Sequence, residues 1–380
     1  MKLRKIIWGL FTLVLTAAVA VTSVMVMKDP LLELICGTGS VTMEHHDTSM
    51  NAELVDRYNM YINNRVASAL DGVLAIDKQY WLSDDDLVAP EPDPEAFGTY
   101  NSPSEMGAFL EAAKTLLNGQ ETFFNTQVNT HPRTKVLTYL DETIMTITWK
   151  EPIDGIMYTF SEVKIAHPSQ FRRFLTGGTY GSEQRMVTTD MAANVNAVVA
   201  SSGDFYAHRQ WGICVYDGKA YRGNSYLDTC FIDDKGDLIF KRSGTLRGVD
   251  NVQKFVDENN IRFSLAFGPI LIEDGKAVKT EAYLVGENDK EHVRAALCQL
   301  GELHYLMIAA NHDDRLAVWM LPENLEKFQK HLLAKGIQNA YCLDGGQTAV
   351  IVHNDKMINA VEFGTQRQIS DIIYFATAMP

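Results

Sequence analysis

The first strong feature along the chain is an uncharged, mostly apolar run, residues 6–27, which follows the cationic residues Lys2, Arg4 and Lys5. At about 1.5 Å per residue, a helix of this length can cross a bilayer core of roughly 30 Å. The pattern predicts a cytoplasmic tip and transmembrane anchor over residues 1–28, because cationic flanks stay on the cytoplasmic side. We therefore expect a single-pass protein of the cell membrane whose main domain is extracytoplasmic. The small residues of LTAAVA also permit a cleaved signal peptide.

Two segments beyond this run repeat apolar residues at helical spacing. Residues 51–70 place apolar side chains every three to four positions, and residues 104–118 do the same before Gly119, a common C-terminal cap. The acidic stretch between them contains three prolines, which regular helices and strands exclude. We interpret residues 29–150 as an extracytoplasmic helical stalk or accessory region.

From about Tyr158 onward the pattern changes to short apolar runs separated by turn residues. Asp-Gly pairs favour the two-residue turns that join antiparallel strands. Hairpins are therefore predicted around residues 217–218, Gly236 and 274–275.

The last third of the chain alternates strand and helix patterns. Residues 303–310 and 340–343 are apolar runs of strand length, and residues 322–336 carry a helical pattern between a proline start and a glycine stop. A crossover of this length lays its two strands parallel. Asn311 and Asp344, which follow the strands, should then lie at one edge of a sheet, where ligands bind in α/β folds.

These patterns predict an α+β fold. It consists of a mixed sheet with antiparallel hairpins and a C-terminal β-α-β crossover, preceded by the transmembrane helix and the helical region. The folded domain is assigned to residues 151–380.

The composition of the chain limits the classes of molecule that it can bind. The chain has 380 residues, 46% of them hydrophobic, and a formal net charge of -14 at pH 7. An acidic chain without a long basic tract repels phosphate backbones, which excludes nucleic acid and leaves small molecules, glycans or proteins. Four cysteines of the C-terminal half are either small buried residues or disulfide partners, and their spacing indicates no metal site. They are Cys214, Cys230, Cys298 and Cys342.

Four short motifs occur in a characteristic order. They are SGD with the following aromatic pair (202–206), FGP (267–269), LDGG (343–346) and QRQIS (366–370). In this order they resemble the phosphodiester glycosidase family, which includes a lysosomal phosphodiester alpha-N-acetylglucosaminidase and bacterial proteins of exopolysaccharide biosynthesis. The resemblance covers about residues 157–378.

The resemblance implies cleavage of a sugar phosphodiester between the anomeric carbon and the phosphate oxygen, without a cofactor or a metal. Such a reaction needs a carboxylate that attacks the sugar or activates water, and donors that hold the phosphate charge. Asp344 and Asp204 are the candidate carboxylates, and His208 and His312 are candidate acids or bases. The residues expected to bind substrate or phosphate are Arg209, Arg294, Arg367, Gly203, Gly345, Gly346, Gln347, Thr348 and Asn311.

The two glycines after Asp344 have a predicted role of their own. Without side chains, Gly345 and Gly346 let backbone N–H groups approach an anion or a sugar ring. Gln347 and Thr348 are expected to bond sugar hydroxyls. The alternative without a role in function is that Asp344 only shapes a turn and that the arginines form surface ion pairs.

The sequence also departs from the family pattern. Ser202 stands where asparagine is usual, residues 311–313 read NHD in place of aspartate-glycine-arginine, and residues 347–349 read QTA in place of glycine and two serines. The first hypothesis is a membrane-anchored glycosidase that acts on a glycan or sugar-phosphate substrate in surface polysaccharide metabolism. The second is a non-catalytic glycan-binding or scaffold relative that works with polysaccharide-assembly proteins. The third is metal-assisted cleavage at phosphorus through Asp204, Asp313 and Asp344.

Overall fold

The computed structural model describes residues 89–100, 103–116, 136–204, 206–280, 283, 285, 288–312 and 323–378. The predicted anchor and the predicted helix at 51–70 lie outside these residues. No helix in the described part of the chain is long and apolar enough to cross a bilayer.

The described chain is built mainly of strands. Numbered along the chain, they are β1 (Phe97–Tyr100), β2 (Val136–Leu140), β3 (Ile144–Ile153), β4 (Ile156–Ile165), β5 (Phe171–Leu175), β6 (Val199–Ser202), β7 (Ile213–Tyr216), β8 (Lys219–Gly223), β9 (Thr229–Asp233), β10 (Leu238–Lys241), β11 (Ile261–Leu265), β12 (Ile270–Glu273), β13 (Lys276–Ala277), β14 (Arg294–Gly301), β15 (His304–His312), β16 (Asn339–Leu343), β17 (Ile351–His353), β18 (Lys356–Met357) and β19 (Asp371–Phe375). The α-helices are α1 (Pro103–Leu116), α2 (Thr188–Asn194), α3 (Val249–Glu258) and α4 (Leu325–Ala334).

The largest sheet has nine strands in the order β1-β2-β3-β4-β15-β14-β16-β12-β13. A second sheet has the order β18-β17-β6-β19-β5, and smaller sheets are formed by β10-β9-β11 and by β7-β8. Every strand ladder in the described residues is antiparallel. The α+β class is confirmed, but the strands pair more uniformly than the predicted mixed sheet.

The predicted hairpins are present because their turn residues adopt the required backbone conformation. Asp217 and Gly218 have φ values of 51° and 67°, and Asp274 and Gly275 have 51° and 70°. Two consecutive residues with positive φ make the tight turn that matches the twist of paired strands. The hairpin ending near Gly236 joins β9 to β10.

The crossover differs in one respect from the prediction. Strands β15 and β16 run in the same direction, with α4 between them in the chain, but β14 lies between them in the sheet and is antiparallel to both. Their carboxyl ends still reach the same edge. The local pattern gave the direction of the two strands, and the inserted strand comes from residues earlier in the chain.

The region before residue 150 needs a larger correction. Residues 103–116 are helical as predicted, but β1, β2 and β3 join the nine-stranded sheet instead of forming a helical stalk. The boundary predicted at residue 150 falls inside β3, which pairs with β4 over its whole length. The sheet therefore begins well before residue 151.

The nine-stranded sheet is covered on both faces. Helices α1 and α4 pack on one face through Phe109, Phe328 and Leu332. The other face packs on the five-stranded and three-stranded sheets, for example through Phe171 and Ile373. Each large apolar side chain buried in this way contributes about 1.5–3 kcal/mol.

The four cysteines of the C-terminal half are free and buried. Cys298 and Cys342 lie on the helix-covered face, whereas Cys230 lies between the sheets and Cys214 lies in a separate cluster. The alternative that they are small buried residues is the one that the structure supports.

Candidate active site at the edge between two sheets

The predicted meeting of strand ends is present at one edge of the nine-stranded sheet. Ala295 pairs with Leu343 of β16, and Arg294 pairs with Ala310 of β15. Asp344 and Asn311, each the next residue along its strand, therefore flank the start of β14. The backbone N–H of Gly346 donates to the carbonyl oxygen of Val293 over 3.0 Å and fixes the turn after Asp344 against β14.

Close packing explains the two glycines of this turn. A Cβ on Gly345 would lie 2.3 Å from the carbonyl oxygen of Val293, and Gly346 has a φ of 66°. The N–H of Gly345 donates to Oδ1 of Asp344 over 3.0 Å, and that of Gly346 is bonded to Val293. The glycines thus shape the turn, and their N–H groups are used inside the protein instead of being presented to an anion as predicted.

Asp344 is the candidate reactive group at this edge of the sheet. The residue is partly buried, and its Oδ2 atom has neither solvent contact nor a hydrogen-bond partner among the described residues. Burial raises the pKa of Asp344 to about 6, and this rise is opposed by Thr348, Arg367, Arg209 and the N–H of Gly345. An unpartnered buried carboxylate oxygen is costly to a fold and is typical of a group reserved for a ligand.

Positive charge surrounds this carboxylate. Arg209 and Arg367 both lower the pKa of Asp344. The pKa of His208 is lowered by burial and by the charges of Arg185, Arg367 and Arg209. The charges of the predicted residues Arg209 and Arg367 therefore act on both Asp344 and His208.

Arg185 is an addition that the sequence did not suggest, because no recognisable motif surrounds it. Its Nη1 atom donates to the carbonyl oxygen of Ser182 over 2.8 Å and to that of Gln184 over 2.5 Å. These two bonds hold the guanidinium beside His208.

Arg209 is held by an aromatic ring, and Arg367 by the turn itself. The Cζ atom of Arg209 lies 5.7 Å from the centroid of the Phe267 ring. The N–H of Arg367 donates to the carbonyl oxygen of Gln347 over 3.3 Å. Arg209 and Arg367 lie in separate loops and the charges of both act on Asp344, so the two guanidinium groups are the candidates for holding an anion.

Arg294 has a different position. It is buried, its Nε atom donates to the carbonyl oxygen of Glu323 over 3.3 Å, and its Nη2 atom donates to that of Lys290 over 2.7 Å. These contacts tie the start of β14 to its neighbouring segments. They support a structural role more than the predicted contact with phosphate.

Asp204 is enclosed by the protein interior. Its Oδ1 atom accepts from Nη2 of Arg173 over 2.9 Å and from the N–H of Tyr206 over 2.7 Å, while its Oδ2 atom accepts from the N–H of Ala266 over 2.7 Å. The side chains of Asp204 and Arg173 have no solvent exposure. Both oxygens are occupied, so the geometry assigns Asp204 to the framework and not to the predicted attack on substrate.

Gly203 belongs to the same framework. A Cβ on Gly203 would lie 1.9 Å from Oδ2 of Asp371, and this oxygen also pairs with Arg173 over 2.9 Å. The Asp371 carboxylate accepts from the N–H of Asp204 over 3.1 Å. The glycine after β6 therefore makes room for a buried ion pair.

The remaining predicted residues line or support the turn. Thr348 donates through Oγ1 to the carbonyl oxygen of Gly345 over 2.7 Å, and Ser202 donates to the carbonyl oxygen of Thr348. Gln347 donates through Nε2 to the carbonyl oxygen and to Oγ1 of Thr365, each over 3.2 Å. Asn311 is buried, and the side chain of His312 lies outside the described residues.

Glu362 is a second carboxylate that sequence patterns did not indicate. Its Oε2 atom lies 2.8 Å from the position that a Cβ on Gly346 would occupy. Glu362 belongs to a one-turn 3₁₀ helix, Glu362–Gly364, which contacts the turn Gly346–Thr348. The site therefore has Asp344 on one turn and Glu362 on the turn facing it.

A partly buried carboxylate at a sheet edge and two arginines whose charges act on it are groups that can bind an anion and take part in nucleophilic or acid-base chemistry. Residues 194–376 match the family model described as phosphodiester glycosidase. The family predicted from four motifs is thus confirmed.

Individual relatives are distant. The SPbeta prophage-derived uncharacterized protein YomE of Bacillus subtilis (strain 168) is 23% identical over 203 residues, which are 52% of this chain and 31% of the relative. The chain therefore spans about a third of the length of the curated relative that it matches.

Two solved structures show the range of structural similarity. One is the catalytic domain of zebrafish N-acetylglucosamine-1-phosphodiester alpha-N-acetylglucosaminidase, auto-inhibited by its pro-peptide. It is 17% identical with a TM-score of 0.48, and the match covers 62% of this chain and 83% of that one. The other is a hypothetical protein from Synechocystis, 14% identical with a TM-score of 0.43, covering 63% of each chain.

Proposed function

We propose that this protein hydrolyses a glycosyl phosphodiester, releasing a free sugar and a phosphomonoester. The observation that carries the proposal is Asp344, whose unpartnered Oδ2 atom lies at a sheet edge beside Arg209 and Arg367. The match of residues 194–376 to the phosphodiester glycosidase family model supports it.

The bond broken in this proposal joins the anomeric carbon to a phosphate oxygen. Asp344, when ionised, attacks the anomeric carbon or removes a proton from the attacking water. The electron pair of the broken bond stays on the phosphate oxygen, and water supplies the new oxygen on the sugar. A phosphate leaving group needs little protonation, so the larger demand is for positive charge near the leaving oxygen. Arg209 and Arg367 can supply that charge.

An isotope experiment tests the reaction. The full-length protein is incubated in ¹⁸O-labelled water with methyl α-glucosyl, α-galactosyl and α-N-acetylglucosaminyl phosphates, and the products are analysed by mass spectrometry. We expect ¹⁸O in the free sugar and none in methyl phosphate. Label in a phosphate product would indicate attack at phosphorus, the metal-assisted alternative, and no turnover of any probe would contradict the proposal.

The rate should depend on pH through Asp344. The carboxylate form is the active one, and burial raises the pKa of Asp344 to about 6, so kcat/KM should fall about tenfold per pH unit below pH 6 and level off above it. Initial rates between pH 4 and 8 measure this limb. The H208Q variant serves as a control, because loss of the limb in that variant would assign it to His208 instead.

The two exposed or half-exposed arginines should act mainly on phosphate binding. The R209A and R367A variants each remove one cation near the leaving oxygen, and we expect kcat/KM for a phosphodiester to fall about 10- to 100-fold, as for a lost charge-assisted contact of about 1.5–3 kcal/mol. R242A is a matched control, since Arg242 forms an ion pair with Glu273 over 2.5 Å. Equal losses in all three variants would contradict the assignment.

We further propose that the substrate belongs to a surface polysaccharide or a teichoic-acid-like polymer, with the domain held outside the cell by the apolar run at residues 6–27. One observation favours a second function, binding of a glycan without cleavage. Residues 347–349 depart from the family pattern, and the side chains of Gln347 and Thr348 bond to protein atoms of Thr365 and Gly345. Glycan binding without release of sugar from any probe would support this second function.

A further inference from the structure

Exposed aromatic side chains occur in the two loops that carry Arg209 and Arg367. Four large hydrophobic residues are exposed among the described residues: Trp211, Tyr226, Val249 and Phe363. Three of the four are aromatic. Exposed aromatic rings cost hydration free energy and are typical of binding surfaces.

Phe363 is the most exposed of them, at 76%, and its backbone is in the left-handed region with a φ of 58°. A bulky side chain rarely adopts this conformation, and such outliers are concentrated at functional sites. The residue before it, Glu362, packs over Gly346 of the Asp344 turn. The residue four positions after it is Arg367, whose N–H is bonded to Gln347. Phe363 thus stands out from a loop fixed to the site on both sides.

Trp211 lies on a different loop, the one that carries Arg209, two residues after that arginine, and it is 47% exposed. Its carbonyl oxygen accepts from the N–H of Tyr226 over 3.0 Å, which joins the two exposed rings through their backbones. The next residue, Gly212, is so close to Ala266 that a Cβ on it would lie 2.4 Å from the Ala266 Cβ. The backbone that carries Trp211 is therefore held against the protein interior.

We propose that Phe363 and Trp211 are stacking residues for pyranose rings on the two sides of the phosphodiester. Each ring is carried by the same loop as one of the arginines near Asp344, so a phosphate held by Arg209 and Arg367 directs its two substituents over these loops. A pyranose ring has an apolar C–H face that fits an aromatic plane, while its hydroxyls stay in water. The ligand class is an oligosaccharide or polymer, since a single sugar reaches only one ring. This inference rests on the proposed function and extends it to the length of the substrate.

The experiment compares short and long substrates. The methyl group of the most active methyl glycosyl phosphate is replaced by a trisaccharide, so that sugars lie on both sides of the phosphate, and kcat/KM is measured for both probes. In the F363N variant we expect kcat/KM for the long probe to fall about tenfold, the effect of one lost stacking contact, with less than a twofold change for the short probe. F363Y should restore the value. The V249A variant removes an exposed apolar side chain that lies on neither of these loops, and it should change kcat/KM for neither probe.

Asparagine is chosen because it tolerates positive φ, so the F363N variant should unfold at the same temperature as the wild type or a higher one. Equal losses on both probes, or no loss on the long one, would overturn the inference. A binding measurement separates it from the proposed function. If neither probe is hydrolysed, titration of the Trp211 fluorescence with the unphosphorylated trisaccharide still reports stacking, and weaker binding in F363N but not in V249A would keep the inference while the hydrolase proposal fails.

Discussion

Replacing Asp344 by asparagine should lower kcat for sugar release by about 10²- to 10⁴-fold, the range over which a positioned acid or base contributes. The exchange keeps the size of the side chain and removes its ability to carry negative charge. The measurement is release of free sugar from the best glycosyl phosphodiester at pH 7. The D274N variant is the control, because Asp274 lies in an exposed hairpin turn where an Asn-Gly pair is equally suitable.

The same variant should be more stable than the wild type, which distinguishes a site residue from a structural one. The pKa of Asp344 is raised from its ordinary value of 3.8 to about 6, so the folded state disfavours the ionised form. The stabilising contribution of the protonated group is complete below pH 3.8 and is lost as pH rises through about 6. At pH 7 and above, asparagine replaces a buried negative charge by a neutral amide. The free energy of unfolding should therefore rise by about 1–2 kcal/mol. A destabilised variant with normal turnover would contradict both parts of the assignment.

Local patterns predicted the parts of the fold that depend on neighbouring residues. The hairpins at 217–218 and 274–275 follow from Asp-Gly pairs, and α1 and α4 follow from apolar spacing and stop signals. The position of β14 between β15 and β16 depends on pairing between distant segments, and no local pattern reports it. The entry of β1, β2 and β3 into the main sheet was missed for the same reason.

The candidate site divides in a similar way. Asp344, Arg209 and Arg367 were recognised because each lies in or beside a motif, and the structure brings them together. Asp204 also follows a strand and a glycine, and a sequence pattern does not indicate whether its carboxylate faces a cleft or an arginine. Its partner Arg173 lies 31 residues away in the chain, and Arg173 also contacts Asp371, which is 198 residues away from it. Sequence reading therefore assigned chemistry to a residue that the packing uses for structure.

The buried ion pair of Arg173 should dominate stability. Arg173 is fully buried, pairs with Asp204 and Asp371 at 2.9 Å each, and also donates to the carbonyl oxygen of Ser264. The R173M variant would leave two carboxylates in the interior without a cation. Loss of one member of a buried pair costs about 3–5 kcal/mol, and we expect a decrease of that size in the free energy of unfolding, measured with denaturant at pH 7.

The pH dependence of R173M identifies the cause of that loss. Burial raises the pKa of Asp371 and Arg173 opposes the rise, so without Arg173 the Asp371 carboxyl group should take up its proton at higher pH. The stability difference from the wild type should therefore shrink as pH falls toward 5. The double variant R173M/D371N should recover part of the loss at pH 7, because a neutral amide replaces one of the unpaired charges. R209M, at a half-buried guanidinium, should cost less than about 1 kcal/mol. If R173M instead kept its stability while turnover disappeared, Asp204 would be a catalytic carboxylate after all, and Asp344 would have to share that role.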